Sequence, residues 1–384
     1  MLRRRVFVEL SAVIPVLLPR FAAAQAPLQP VEKLEMLASV QGKFDHLGVD
    51  EKGSRLFVAA ESAHQVLVFD LKGAKYVRSI PDIQIPHAIF VREDLNRIYI
   101  TDGGAGALKV FDGRTYALLK SIPLKLNADS IGYDPATHYL YIDNGGGDAH
   151  ETFSMLSVVD TTRDTRVADV KIDGDTLEAM ALEKNSGKMY VNDAALIKVV
   201  VLDRGSRSIV ANWPVTMGKR NVAMALDEAG HRLFVGSRSG AISVFDTGTG
   251  KELTSLPIGE GVDDMVFDAG SKRLYATCGG DGLIYVYQQR DADHYELAGK
   301  VPSGPKGKNG LLSRPRGRFY VIVPPQASTP GAIYMFPVQS QPKPSPTATQ
   351  SWRQISSAVS TVLGRQSLFC RRFWSEHCGY GDLC

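Results

Sequence analysis

The stretch DEAGHRLFVGSRSGAISVFDTGTGKELTSLPIG, residues 227–259, decides the fold. It follows VAMALD (222–227), which alternates apolar with small residues and suits an innermost strand. RLFVGS (232–237) comes after the turn EAGH, AISVFD (241–246) after SRSG, and KELTSLPI (251–258) after TGTG. Four short period-two runs between Gly, Asp, Asn and Ser clusters read as four antiparallel strands joined by hairpins.

Working outward, the second strand of this unit recurs six more times. The copies are RLFV (55–58), RIYI (97–100), YLYI (139–142), KMYV (188–191), RLFV (232–235), RLYA (273–276) and RFYV (318–321). From Leu56 through Ile98, Leu140, Met189, Leu233 and Leu274 to Phe319, the intervals are 42, 42, 49, 44, 41 and 45 residues. A period in this range marks a repeat architecture in which each unit is one supersecondary element. The predicted fold is all-β, a seven-bladed β-propeller. The third strand ends in Asp70, Asp112, Asp160, Asp203 and Asp246, each placed to bond the amides of the next turn. GGGDAHET (145–152) lengthens the third repeat.

The seventh repeat lacks a fourth strand after RFYVIV (318–323) and AIYMFPV (332–338). VEKLEMLASV (31–40) precedes the first repeat and is strand-like, so it is expected to supply the missing outer strand. That closure removes the free sheet edges of an open ring.

The ends differ from the body. Residues 1–24 hold Arg3, Arg4, Arg5 and Arg20 against Glu9, with an apolar stretch Val6–Leu18 before FAAAQ. This reads as a signal peptide cleaved after Ala24, of general secretory or twin-arginine type, and implies a periplasmic or secreted protein. No other apolar run is long enough for a transmembrane span. The propeller is expected over 25–339. Residues 340–384 begin as the Pro-rich linker QPKPSPTATQS and continue as a loosely ordered tail holding Cys370, Cys378 and Cys384. Of 44 basic and 41 acidic residues, the first 24 take four and one and the tail five and two, leaving 35 basic against 38 acidic. A slightly acidic body lacks the broad positive surface that gives sequence-independent affinity for nucleic acid.

The repeats resemble the YncE-like family of YVTN-type β-propellers. DEKGSRLFVAAESAHQVLVFD (50–70) and the 227–259 stretch carry the family's turn, "(K/R)LYV", "VxVID", "TGK" and "IPVG" elements in order. FDHLGVD (44–50), NVAMALDEAG (221–230) and DADHY (291–295) are similar to an exported bacterial subgroup. The family's Pro before the inner strand is kept only as Pro86. The resemblance spans about residues 31–338 and implies a secreted or periplasmic seven-bladed ring. It does not imply a settled activity, and the DNA binding described for one member is opposed by the acidic body.

Candidate chemistry follows from the repeat. Eleven residues before each anchor, the loops into the innermost strands converge at one channel mouth. They place there Asp45, His87, Asp129, Glu178, Val222, Asp263 and Lys308, with His46, Ser130, Asn221, Asp264 and Asn309 beside them. Carboxylates facing one another need a cation, protons or hydrogen bonds. Asp129, Glu178 and Asp263 are the candidate metal ligands, and oxygen donors with one His suit Ca²⁺, Mg²⁺ or Mn²⁺. The alternative is that each acid caps its own loop. Met180 and Met224, at equivalent inner-strand positions, read as packing. No Ser-nucleophile motif occurs, and the Gly-rich runs are not followed by the helix that phosphate cradling needs.

Three functions follow. The first is a binding or scaffold propeller of the cell envelope, a monomer whose mouth takes a small molecule, a metal or an envelope protein. The second is a metal-dependent hydrolase of the lactonase type, and the third single-stranded DNA binding.

Overall fold

A computed structural model describes Leu28 and residues 32–327 and 329–338. The expected signal peptide (1–24) and the linker and tail (340–384) lie outside these residues. Seven sheets of four antiparallel strands follow one another as blades. Six of them run in chain order from the channel outward: blade 1 Leu47–Ile80, blade 2 Pro86–Pro123, blade 3 Ile131–Asp173, blade 4 Leu177–Pro214, blade 5 Asn221–Pro257 and blade 6 Val262–Pro302. Blade 7 takes its three inner strands from Gly310–Pro337 and its outer strand from Glu32–Glu35. Glu32 pairs with Met335 and Glu35 with Ala332, and a bridge joins Leu28 to Val338. The inner strands of blades 1 and 7 touch, which completes the ring. Within the expected 31–40 segment, pairing stops after Glu35 and residues 38–39 turn.

The core is seven wedges, one between each pair of adjacent blades, and this explains the repeated motif. In a strand, successive side chains point to opposite faces. The apolar anchor of the motif therefore faces the preceding blade and the aromatic faces the following one. Leu56 packs against blade 7 and Phe57 against blade 2; Ile98 and Tyr99, and Met189 and Tyr190, divide in the same way. The last anchor, Phe319, faces blade 6, while Tyr320 closes the wedge with blade 1 beside Leu34 and Met36. The basic residue opening the motif also reaches forward. Arg97 pairs with Asp164, the Lys188 Nζ donates to the Thr247 carbonyl at 3.2 Å, and Arg232 meets Asp293 at 2.7 Å.

The Asp residues ending the third strands cap turns as expected. Asp246 accepts from the Gly248 and Thr249 amides, and Asp112 from those of Arg114 and Thr115. The register slips by one residue near the end of the third strand in all of blades 1 to 6, for example between Val68 and Phe69 and between Val244 and Phe245. A bulge recurring at one place adds local twist to every blade. The insertion of blade 3 forms a short 3-10 turn, Gly147–Ala149, above the second strand.

Candidate functional site

Inner strands start at the mouth, and four of them bulge there. The pairing skips between Pro86 and Ile89, Leu177 and Met180, Asn221 and Ala223, and Val262 and Asp264. The residues inside those bulges are His87, Glu178, Val222 and Asp263. A bulge re-aims a side chain away from the alternation of its strand; here Glu178, Val222 and Asp263 line the well, and His87 turns to Asp45 of the preceding blade's entrance loop. In blades 1, 3 and 7 the inner strand begins later, at Leu47, Ile131 and Gly310. Asp45 and His46, Asp129 and Ser130, and Lys308 and Asn309 stand just ahead of it.

The loops meet in a well of about 130 Å³ lined by Asp45, His46, Asp129, Glu178, Asp263 and Lys308 among others. Below it the channel continues as a second space of about 270 Å³ past Ala88, Met180, Met224 and Asp264. Met180 and Met224 thus line the channel as well as packing between blades. Of the expected residues, Asn221 stands apart. It is fully buried in the blade wall, where its Nδ2 donates to Asn192 Oδ1 and to the Lys198 carbonyl.

Two networks divide the charges. In one, His87 Nδ1 donates to Asp45 Oδ2 at 2.5 Å and lies 4.0 Å from Asp129 Oδ1. His46 reaches Asp264 at 3.2 Å through Nδ1 and Asp45 at 3.6 Å through Nε2. In the other, Asp263 is held by Arg238 Nη2 at 2.5 Å, Lys308 Nζ at 2.6 Å and Asn309 Nδ2 at 3.0 Å. Asn309 Nδ2 also approaches Asp45 Oδ1 at 3.4 Å and links the two.

Burial and these partners set the protonation states. Burial alone would lift Asp45, but His46, the His87 hydrogen bond and Lys308 hold it well below the ordinary carboxylate range. Burial opposes a charged His87, yet Asp45 and Asp129 bring it up to about 9. His46 is likewise raised, by Asp264 and Asp45 against burial. Glu178 has no cation in hydrogen-bond contact. Burial first, and then Asp129, push it up to about 8. Asp129 is raised by burial.

Sequence reasoning missed two members of the site. Arg238 sits in the hairpin between the second and third strands of blade 5, which opens on the same mouth as the loops into the inner strands. Asp143 is the fifth residue of its second strand, Tyr139–Gly145. Its counterparts Thr101, Asn192 and Thr277 donate to carbonyls of the next blade's inner strand or entrance loop: to Asp129 at 2.8 Å, to Val222 at 3.0 Å, and in blade 6 to its own Asp264 at 2.9 Å. Asp143 is 2% exposed and its Oδ1 has no hydrogen-bond partner. Burial, then Asp129 and Glu178, raise it well above the ordinary range.

Asp45, His46 and Asp129 offer donor atoms within 4.8 Å of one another. Asp129 Oδ1 is buried and without a hydrogen-bond partner. Of the expected ligand set Asp129, Glu178 and Asp263, only Asp129 belongs to this trio, and both oxygens of Asp263 are engaged by cations.

No family model matches the chain, and no curated protein sequence does. Solved structures match in fold. A chain of Kuenenia stuttgartiensis hydrazine synthase is similar over 74% of this chain and 94% of its own, at 17% identity and a TM-score of 0.62. A chain of a mitotic checkpoint complex matches over 88% and 100%, at 12% identity and a TM-score of 0.68. The structure of U3-55K matches over 80% and 98%, at 12% identity and a TM-score of 0.64. At these identities the likeness is one of fold.

Proposed function

We propose that this chain is an exported binding propeller of the cell envelope, of the YncE-like kind, whose channel mouth holds a small polar ligand or a divalent cation. The fold is consistent with a binding role, since a ring of blades presents loops from seven units around one concave mouth. The export reading rests on the first 24 residues and the family reading on the in-register repeats. No helix among the described residues is long and apolar enough to cross a membrane.

One observation carries the site. Asp129 Oδ1 is buried with no hydrogen-bond donor, beside Asp45 and His46, in a well where the other acids are paired or neutral. A buried acceptor left open costs free energy that a bound donor or cation recovers. Ca²⁺, Mg²⁺ or Mn²⁺ is the cation class that fits two carboxylates and an imidazole. Calorimetric titration of the dialysed protein with each ion tests this. Saturable binding that falls at least tenfold in Asp129→Asn is expected, and its absence for all three ions, together with unchanged melting, removes the cation. Three protein donors would leave coordination positions open, which is what a metal-dependent hydrolase requires. Lactone opening that depends on the added ion is the assay for that second reading.

A further inference from the structure

We propose that the groove outside the Arg238–Lys308 pair is an anion subsite, so that the ligand of the mouth is a small organic acid or phosphate ester. The inference deepens the reading of the mouth as a ligand site and rests on it. The groove has a volume of about 750 Å³ and shares Arg238, Lys308 and Asn309 with the charge networks of the well. Cavities of this size take whole metabolites rather than bare ions.

Its charge is one-sided. Lys43, Arg238, Lys306 and Lys308 line it against Glu61 alone. Glu61 is the partner of Lys43, at 3.8 Å. Asp263 takes one hydrogen bond from Arg238 and one from Lys308, which leaves most donors of both cations unused. Asp263 uses only part of what two cations and an amide offer, so the pair presents unused N–H donors at the boundary of well and groove. Lys306, at the groove wall, has no ion-pair partner among the described residues. A guanidinium beside two ammonium groups is the donor set that recognises carboxylate and phosphate oxygens.

The floor and walls fit an organic body. Gly279 lies where a Cβ would stand 3.0 Å from the Lys308 Cβ, and a Cβ on Gly280 would come within 2.7 Å of the Glu260 carbonyl oxygen. Backbone thus forms a close floor under the Lys308 stem. Phe44, Pro324 and Pro325 supply an apolar wall. An anionic group held by Arg238, Lys306 and Lys308 leaves the remainder of the molecule facing the well, where His46 and Asp129 present donor and acceptor.

The test is calorimetric titration of the full chain with inorganic phosphate and, separately, succinate, against chloride at equal ionic strength and with a chelator present. Saturable binding of at least one anion above the chloride control is expected, and which one binds assigns phosphate or carboxylate. Lys306→Asn suits the left-handed backbone at this residue (φ 60°), and it removes an exposed charge without touching Asp263. It should weaken binding roughly tenfold. Arg238→Gln should weaken it further, with folding checked by circular dichroism. No saturable binding of either anion, or equal affinity in Lys306→Asn and the parent, overturns the inference. Divalent-cation titrations of the same preparations decide the reading of the well separately, because they do not involve Lys306.

Discussion

Replacing Glu178 by Gln should flatten the pH dependence of stability, and its size follows from the site. Glu178 is pushed up to about 8 from an ordinary 4.5, by burial first and by Asp129 next. Between these values the folded state holds a proton that the unfolded state has released. Stability therefore falls as pH rises through this window. From pH 6 to pH 9 the loss from this one group comes to about 2.5 kcal/mol. His87, raised to about 9 from 6.5, acts in the same direction: its contribution is complete below about pH 6.5 and is lost as pH climbs toward 9. Its causes are Asp45, Asp129 and Glu61 rather than Glu178, so it acts equally in parent and variant. The difference between the two proteins isolates Glu178. For a ring of this size about 2.5 kcal/mol corresponds to roughly 4 °C in melting temperature. Scanning calorimetry at matched rates and constant ionic strength, without divalent ions, reads it. Relative to Glu178→Gln, the parent should lose roughly 4 °C more in melting temperature between pH 6 and pH 9. Parallel curves would show that Glu178 is solvated and ionised in the fold, and the account of a dry, crowded mouth would fail with it.

Three further outcomes are expected. Leu34→Ala removes a side chain 1% exposed in the wedge between blades 7 and 1, and should cost about 2–5 kcal/mol; a loss under 1 kcal/mol in denaturant titration would show that the N-terminal strand is not needed for closure. Asp143→Asn supplies the amide donor that Asn192 uses at the same place in blade 4. It should leave stability level or higher at pH 8, and a clear loss in the same titration would mean that the acid has a partner of its own. Removing residues 340–384 should keep the melting transition within a few degrees, as for a segment beyond the last repeat strand.

The fold was legible because propeller packing writes itself into three consecutive residues. The apolar and aromatic positions of each motif face the preceding and the following wedge, so every blade needs both, and in several blades the opening basic residue reaches the next blade's turn. Missing strands are legible for the same reason. A seventh unit with only three strands, Gly310–Pro337, leaves Ile333 and Phe336 uncovered unless another segment arrives; Leu34 joins the cluster of Ile333 and Leu28 that of Phe336. The extent of that strand was less legible. Residues 31–40 look uniformly extended, but pairing is limited by the length of its partner, which ends at Ala332.

The site was legible only along one loop of each repeat. Counting back from the anchor finds Asp45, His87, Asp129, Glu178 and Asp263 because the inner strand has a fixed length, and bulges then turn His87, Glu178 and Asp263 inward. Asn221, named only as the neighbour of the counted Val222, is held in the blade wall, while the count's own Val222 lines the well. Arg238 and Asp143 belong to other strands that end at the same mouth, and no spacing rule within one loop reaches them. They alter the chemistry most. Without Arg238, Asp263 reads as a free metal ligand; with it, Asp263 becomes the counter-ion of a cationic pair. Without Asp143, the mouth reads as four carboxylates in mutual repulsion. With Asp143 raised well above the ordinary range and Glu178 raised to about 8, the remaining acids stand beside His46, His87, Arg238 and Lys308, and Asp129 keeps a buried oxygen with no hydrogen-bond donor. The repulsion that first marks these residues in the sequence is thus already relieved by protons and by the cationic side chains of the mouth itself. What a ligand meets there is a set of fixed donors and acceptors of both signs, which favours a polar molecule with separate charged ends over a lone ion.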